Sequence, residues 1–154
     1  MSYELLFVKD VKEILVRDLN ALKDEIKDTP DELLWLIVPG IINPIGTLAY
    51  HICGNLRHFI GASLGNDTYV RHREDEFKNH TLSTNELLQH IDATIDSVNN
   101  ALDAITVERL TQLMPDPPPQ HQGKTVGFFL VQLCCHLSRH RGQLNYIRRI
   151  LEAR

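Results

Sequence analysis

Two histidines stand four residues apart in the segment His136-Leu137-Ser138-Arg139-His140-Arg141-Gly142-Gln143. On a helix, positions i and i+4 share a face one turn apart, so both imidazoles can turn a nitrogen toward one point. Neutral ring nitrogens with free lone pairs are ligands for a divalent ion. The same spacing also suits two solvated or hydrogen-bonded rings, and by itself leaves both readings open.

The direction in which the pair points separates them further. With His136 as zero and about 100° per residue, His140 falls at about +40°, Phe129 and Ile147 at about +20°, and Leu133 at about +60°. Gln143 falls at about −20° and Ile150 at about −40°. Arg141 and Arg148 lie at about 120–140°, Arg149 near about 220° and Arg139 near about 300°. The histidines are therefore expected in the middle of the apolar stripe, facing the interior, with the arginines off it.

An imidazole nitrogen buried without a partner costs about 1–3 kcal/mol. An ion would satisfy both lone pairs at once and would demand a third ligand from a neighbouring helix. His51 lies at the edge of the apolar face of an earlier helix, with Asn55 at i+4 and His58 at i+7 on the same side. His51, His136 and His140 would form a facial set with open positions for water or substrate. His58 is an alternative to His51 or a hydrogen-bond partner, and spacing does not choose. His72, His80, His90 and His121 are expected in loops or on wet faces.

Four amphipathic helices must position these residues. The first spans about Tyr3 to Lys27, with Val8, Val11, Leu15, Leu19, Leu22 and Ile26 as its stripe. Thr29-Pro30-Asp31-Glu32 carries an N-cap, a helix-starting proline and a capping-box glutamate, predicting a short helix that ends at Pro39-Gly40. Asn43-Pro44 opens a helix to about Leu64, stopped by Gly65-Asn66, burying Ile45, Leu48, Ile52, Leu56 and Phe59. The polar stretch from Asp67 to Leu82 reads as a long ordered loop. Ser83 and Glu86 form a capping box for a helix to about Ile105, with the stripe Leu88, Ile91, Ile95, Val98 and Leu102. The prolines of PDPPPQHQGK break the chain before a last helix, about Thr125 to Glu152. The expected fold is all-α, a four-helix bundle with long crossover loops, in one domain over residues 1–154.

Composition narrows the function classes. The 154 residues are 43% hydrophobic and 23% charged, with a formal net charge of −4, which argues against nucleic acid as a partner. Three cysteines without a CxxC spacing point to reduced thiols and a cytoplasmic location. MSYELLFVKDVKE turns charged too early for a signal-peptide core. The apolar run LLWLIVPGII is about ten residues long and broken by Pro39 and Gly40, too short to span a bilayer. No membrane partner is expected.

With His51 shortly before Gly54-Asn55-Leu56-Arg57-His58-Phe59, and HLSRHRGQLNYIRR near the C-terminus, the chain resembles the DinB/YfiT-like superfamily of metal-binding four-helix bundles. Arg71, Arg73, Glu76 and Phe77 match the RxRxxEF segment of one branch, and the HxxxHxGQ signature falls on His136, His140, Gly142 and Gln143. The resemblance implies a divalent ion, zinc or nickel, held by His51, His136 and His140. It implies close helix packing at Gly142, and for Gln143 a place lining the site or a hydrogen bond to a ligand histidine. It further implies a homodimer and a small-molecule substrate. Characterised members transfer low-molecular-weight thiols such as bacillithiol, mycothiol or glutathione. A free thiol of pKa about 8.5 becomes thiolate on a divalent ion. The expected function is such a transfer to a small electrophile, with metal-dependent hydrolysis or a non-catalytic metal- or ligand-binding bundle as alternatives.

Arg71 and Arg73 either hold an anionic substrate or thiol carboxylate over the metal, or pair with Glu74, Asp75 and Glu76 to order the loop; the second role is favoured. Cys134 and Cys135 fall at about 160° and 260°, off the histidine face, and Cys53 points away from His51. No nucleophilic or ligand role is expected for the cysteines.

Overall fold

The computed structural model describes residues 2–78 and 81–153. Four long helices carry the fold: α1 (Tyr3–Asp28), α2 (Ile45–Leu56), α4 (Thr84–Ala104) and α6 (Val126–Glu152). Two short ones, α3 (Arg73–Lys78) and α5 (Val107–Thr111), sit in the connections. Beyond Leu56 the helix continues through a π-helical turn, Arg57–Ala62, and ends at Gly65. Helix α1 packs against α4 and α6, and α2 packs against the same two, so the ring order is α1, α4, α2, α6. The architecture is an all-α bundle.

Every residue of the expected α1 stripe is buried, as is every one expected on α2. Each such fully buried aliphatic side chain stabilises the fold by about 1.5–3 kcal/mol. The capping box at Ser83 forms: its hydroxyl accepts from the Glu86 N–H at 3.3 Å, and the Glu86 carboxylate accepts from the Ser83 N–H at 2.8 Å.

Three expectations are corrected. The short helix after Thr29 is only a 3-10 turn, Asp31–Leu33. Thr29 works backwards, its hydroxyl donating to the Glu25 carbonyl at 2.7 Å, so it closes α1 instead of capping a new helix. Trp35 then lies across Gly46, whose absent Cβ would stand 2.5 Å from the indole ring, and this contact fixes the crossover instead. Second, the stretch expected as loop contains α3, and that helix proves important to the site. Third, the seam of α4 is rotated from the expected one. Leu87, Thr94 and Ser97 are buried alongside Ile91, Val98 and Leu102, whereas Leu88 and Ile95 are only partly covered. Small polar side chains let the π turn of the second helix approach α4, a choice that hydrophobic periodicity does not display.

The last helix also sits differently from its simple projection. Val126, Leu130, Leu137, Leu144 and Leu151 are buried with Phe129, Leu133 and Ile147. Counting all eight moves the stripe's centre to about +70° from His136. His136 is therefore at its edge and His140 within it, about 30° from the centre; both are half-buried, and Ile150 is exposed. Arg148 is on the covered side instead, its Nε 2.9 Å from Glu25 Oε2 of α1.

Candidate metal centre

Helix α2 presents His51 and α6 presents His136 and His140 across one helix pair. His51 Nε2 is 3.4 Å from His136 Nε2, which is 3.1 Å from His140 Nε2. The three ligand atoms these residues offer lie within 4.8 Å of one another. The outer nitrogens identify the tautomers. His51 Nδ1 is 2.8 Å from Glu76 Oε2 and His140 Nδ1 is 2.7 Å from Gln143 Oε1, both acceptors, so each Nδ1 carries the proton and donates. The Nε2 lone pairs of His51 and His140 are then left facing His136.

A proton on His136 Nε2 can bond to one of these lone pairs at a time, whereas a positive centre among the three nitrogens satisfies both. Burial pushes His136 down to about 3, and the neighbouring His140 and His51 add to the fall. Burial also lowers His140, against the bond it donates to Gln143. Both rings are neutral near pH 7, the form that binds metal. Metal–nitrogen bonds of about 2.0–2.1 Å at tetrahedral angles separate ligand nitrogens by about 3.3–3.4 Å. The donor set and its spacing fit a divalent ion.

Behind His51 stands a buried carboxylate. Glu76, from α3, is 1% exposed and accepts from Arg71 Nε at 2.6 Å and Nη2 at 2.9 Å as well as from His51. Burial would raise its pKa, but the bonds from His51 and Arg71 outweigh that and hold it below the usual carboxylate range. An ionised carboxylate fixes the ring orientation of a ligand histidine and raises its basicity. Gly54 makes the room: a Cβ there would stand 2.1 Å from Glu76 Oε1.

A cleft of about 940 Å³ opens over the three histidines, lined by Phe59, Phe129, Leu133 and the Pro117–Pro119 segment. Asn55 and His58 line it, as expected of residues on the His51 side. His58 is not part of the histidine cluster. Arg71 is committed to Glu76, which is the loop-ordering role, while exposed Arg73 lines the cleft with its guanidinium 5.2 Å from the Phe77 ring. Gln143 is exposed and reaches the site only through His140. None of the cysteines lines the cleft; burial pushes Cys53 up to about 12 and Cys134 up to about 11.

Three readings change. A Cβ on Gly142 would meet nothing within 4 Å, so close helix packing is not its role. His121 is half-buried against Phe129, ring centroids 5.7 Å apart, and lines the cleft. His90 is half-buried against Tyr50 at 4.9 Å. His80 lies outside the described residues. As the carboxylate behind His51, Glu76 is the residue that sequence reasoning missed. The signal was a glycine three positions after His51 together with an acid shortly after two arginines, but no spacing rule joins residue 76 to residue 51.

The family model described as "Protein of unknown function (DUF1572)" matches residues 3–154. The chain belongs to the DUF1572 family. Two solved structures share its fold. A conserved protein from Enterococcus faecalis is 18% identical with a TM-score of 0.76, over 100% of this chain and 99% of that one. A DinB-like protein from Bacillus cereus is 19% identical with a TM-score of 0.66, over 88% and 86%. None of the curated proteins matches it in sequence. The DinB-like fold implied by the histidine signature is thus the fold of this DUF1572 member, and likeness at this identity carries the fold alone. Among the described residues no helix is long and apolar enough to cross a membrane.

Proposed function

We propose that this chain is a divalent-metal protein in which His51, His136 and His140 hold the ion, zinc or nickel, and that it transfers a low-molecular-weight thiol to a small electrophile. One observation carries the reading: three imidazoles converge across two helices, and two of them are held by outer hydrogen bonds in the tautomer that offers Nε2. When bound, the ion supplies Lewis acidity, favouring a thiolate at neutral pH and polarising an electrophile.

The chain's own residues do the rest. Glu76 and Arg71 hold the His51 ring, and Gln143 holds the His140 ring. Phe59, Phe129 and Leu133 limit water, and a cleft of about 940 Å³ has room for more than one small reactant. No cysteine lines it, so a thiol must arrive as a cosubstrate. That favours transfer from a diffusible thiol over a nucleophile carried by the protein.

The test begins with metal. Protein purified without a polyhistidine tag, incubated with zinc and nickel and then desalted, should retain stoichiometric ion. His136→Ala should weaken affinity by at least about 100-fold through loss of one direct ligand. Absence of retained metal, or unchanged affinity in that variant, ends the reading. Assays with thiols, and separately with esters and amides, then divide the chemistries. Turnover only with thiol supports transfer; turnover without it identifies a hydrolase; metal binding with neither identifies a binding bundle.

A further inference from the structure

Charge around the cleft is unbalanced. Three arginines line it, Arg71, Arg73 and Arg139, against one carboxylate, Asp116. Arg71 is neutralised by Glu76. Arg73 and Arg139 are exposed and, among the described residues, have no carboxylate partner. They line the cleft from different helices. Arg73 begins α3, its guanidinium over the Phe77 ring, and that ring lies 5.1 Å from His51. Arg139 stands on α6 between His136 and His140.

Two unpaired guanidinium groups beside neutral histidines raise one another's energy, and a dication among the histidines would raise it further. An oxyanion between them relieves all three, and the planar guanidinium fork matches a carboxylate in geometry. Asn55, largely buried, lines the same cleft.

We propose that the cleft takes a carboxylate-bearing ligand, held by Arg73 and Arg139 beside the three histidines. This rests on the reading of the cleft as the substrate site and adds the class of molecule that enters it. Helix α3 carries both Arg73 and the carboxylate that holds His51, so anion and metal stabilise the same placement of that helix. Each therefore tightens the other by the same factor.

The experiment is calorimetric titration of the full chain, metal-loaded and metal-stripped, with succinate, neutral succinamide and inorganic phosphate. Succinate should bind both forms, more tightly with metal, and succinamide at least about tenfold more weakly. Arg73→Gln and Arg139→Gln should each weaken succinate by about tenfold or more, with metal stoichiometry unchanged. Both side chains are exposed, and circular dichroism verifies that the variants fold. Equal succinate binding in both variants overturns the proposal, as does succinamide binding as well as succinate. Phosphate binding tighter than succinate, with the same arginine dependence, overturns the carboxylate assignment in favour of a phosphoryl ligand. The stripped arm keeps the two readings apart. Arginine-dependent succinate binding in a chain that retains no metal faults the metal reading alone, and metal retention with arginine-independent binding faults this one alone.

Discussion

Among the described residues, Glu76 is the carboxylate on which the histidine cluster leans, and its partners predict what happens when it is changed. Glu76→Gln keeps the shape but removes the charge, leaving the Arg71 guanidinium, only 9% exposed, without its counter-ion. Removing a carboxylate behind a ligand histidine lowers metal affinity by about 10–100-fold. Competition against a chromophoric chelator should read that loss while helical dichroism is kept. Gly54→Ala should do the same from the other side. Alanine is the better helix former by about 1 kcal/mol, yet its Cβ falls 2.1 Å from Glu76 Oε1 and 2.9 Å from Cδ. A carboxylate bonded to Arg71 and His51 moves aside only by giving up one of them. Wild-type metal affinity in Gly54→Ala would show that Glu76 does not hold His51 in place.

At the scale of elements, the connection from the second helix to α3 is what delivers Glu76, and Asp67 secures it. Its carboxylate accepts from Arg57 Nε and Nη2, each at 3.2 Å, from Ser97 Oγ of α4 at 2.6 Å, and from the Tyr69 N–H at 2.9 Å. Burial acts to raise the Asp67 pKa, but the bonds from Arg57, Ser97 and Tyr69 prevail and hold it below the usual range. Arg57 also lies 4.3 Å from the Tyr69 ring centroid, and Gly61 brings the π turn close enough that a Cβ there would stand 2.0 Å from Ser97 Oγ. Asp67→Asn keeps the volume and loses the charge-assisted bonds. It should destabilise the fold by about 1–3 kcal/mol, seen as a lower urea midpoint with unchanged slope. No midpoint shift would assign the connection's order to packing instead. Gly65-Asn66 marks the end of the second helix in the sequence, and the helix does end there. The π turn before it is not marked, because an extra residue in a helical turn is set by what packs outside it.

For the molecule as a whole, histidines tie stability to acidity. Burial lowers His58, His136 and His140, which line the cleft, and His90, which packs against Tyr50. An imidazole lowered in the folded state takes its proton more readily when unfolded. It contributes stability fully above the unfolded pKa of about 6.5. That contribution is lost as pH falls, for His136 down to about 3. The lowered carboxylates Asp67 and Glu76 add a second loss at more acidic pH, through the unfolded carboxylate range and below. The metal-stripped melting temperature should be flat above about pH 7 and fall steadily below about 6.5. Metal at about 1,000 times its Kd should add about 4 kcal/mol near neutral pH, removable with EDTA. Differential scanning fluorimetry from pH 8 to 4, with and without EDTA, reads both effects. A midpoint constant from pH 6.5 to 5 in the stripped protein would contradict the histidine argument.

What the sequence determined by itself was periodic or adjacent. The α1 stripe, the Ser83–Glu86 box, the break at Gly65 and the four-residue step from His136 to His140 all follow from the repeat of one helix. His51 was legible as a candidate because a second helix had to supply the missing donor. Tertiary structure decided the rest. It left the histidines half-buried, bordering a cleft instead of filling the core. It turned Thr29 back onto α1, and folded α3 from a stretch with no apolar period so that Glu76 meets His51 across 25 residues of chain. Thr29 made a local choice, a bond four residues back that competes with capping a new helix. The site instead follows from contacts between separate elements, which leave no period in the sequence because their geometry exists only after the helices have packed.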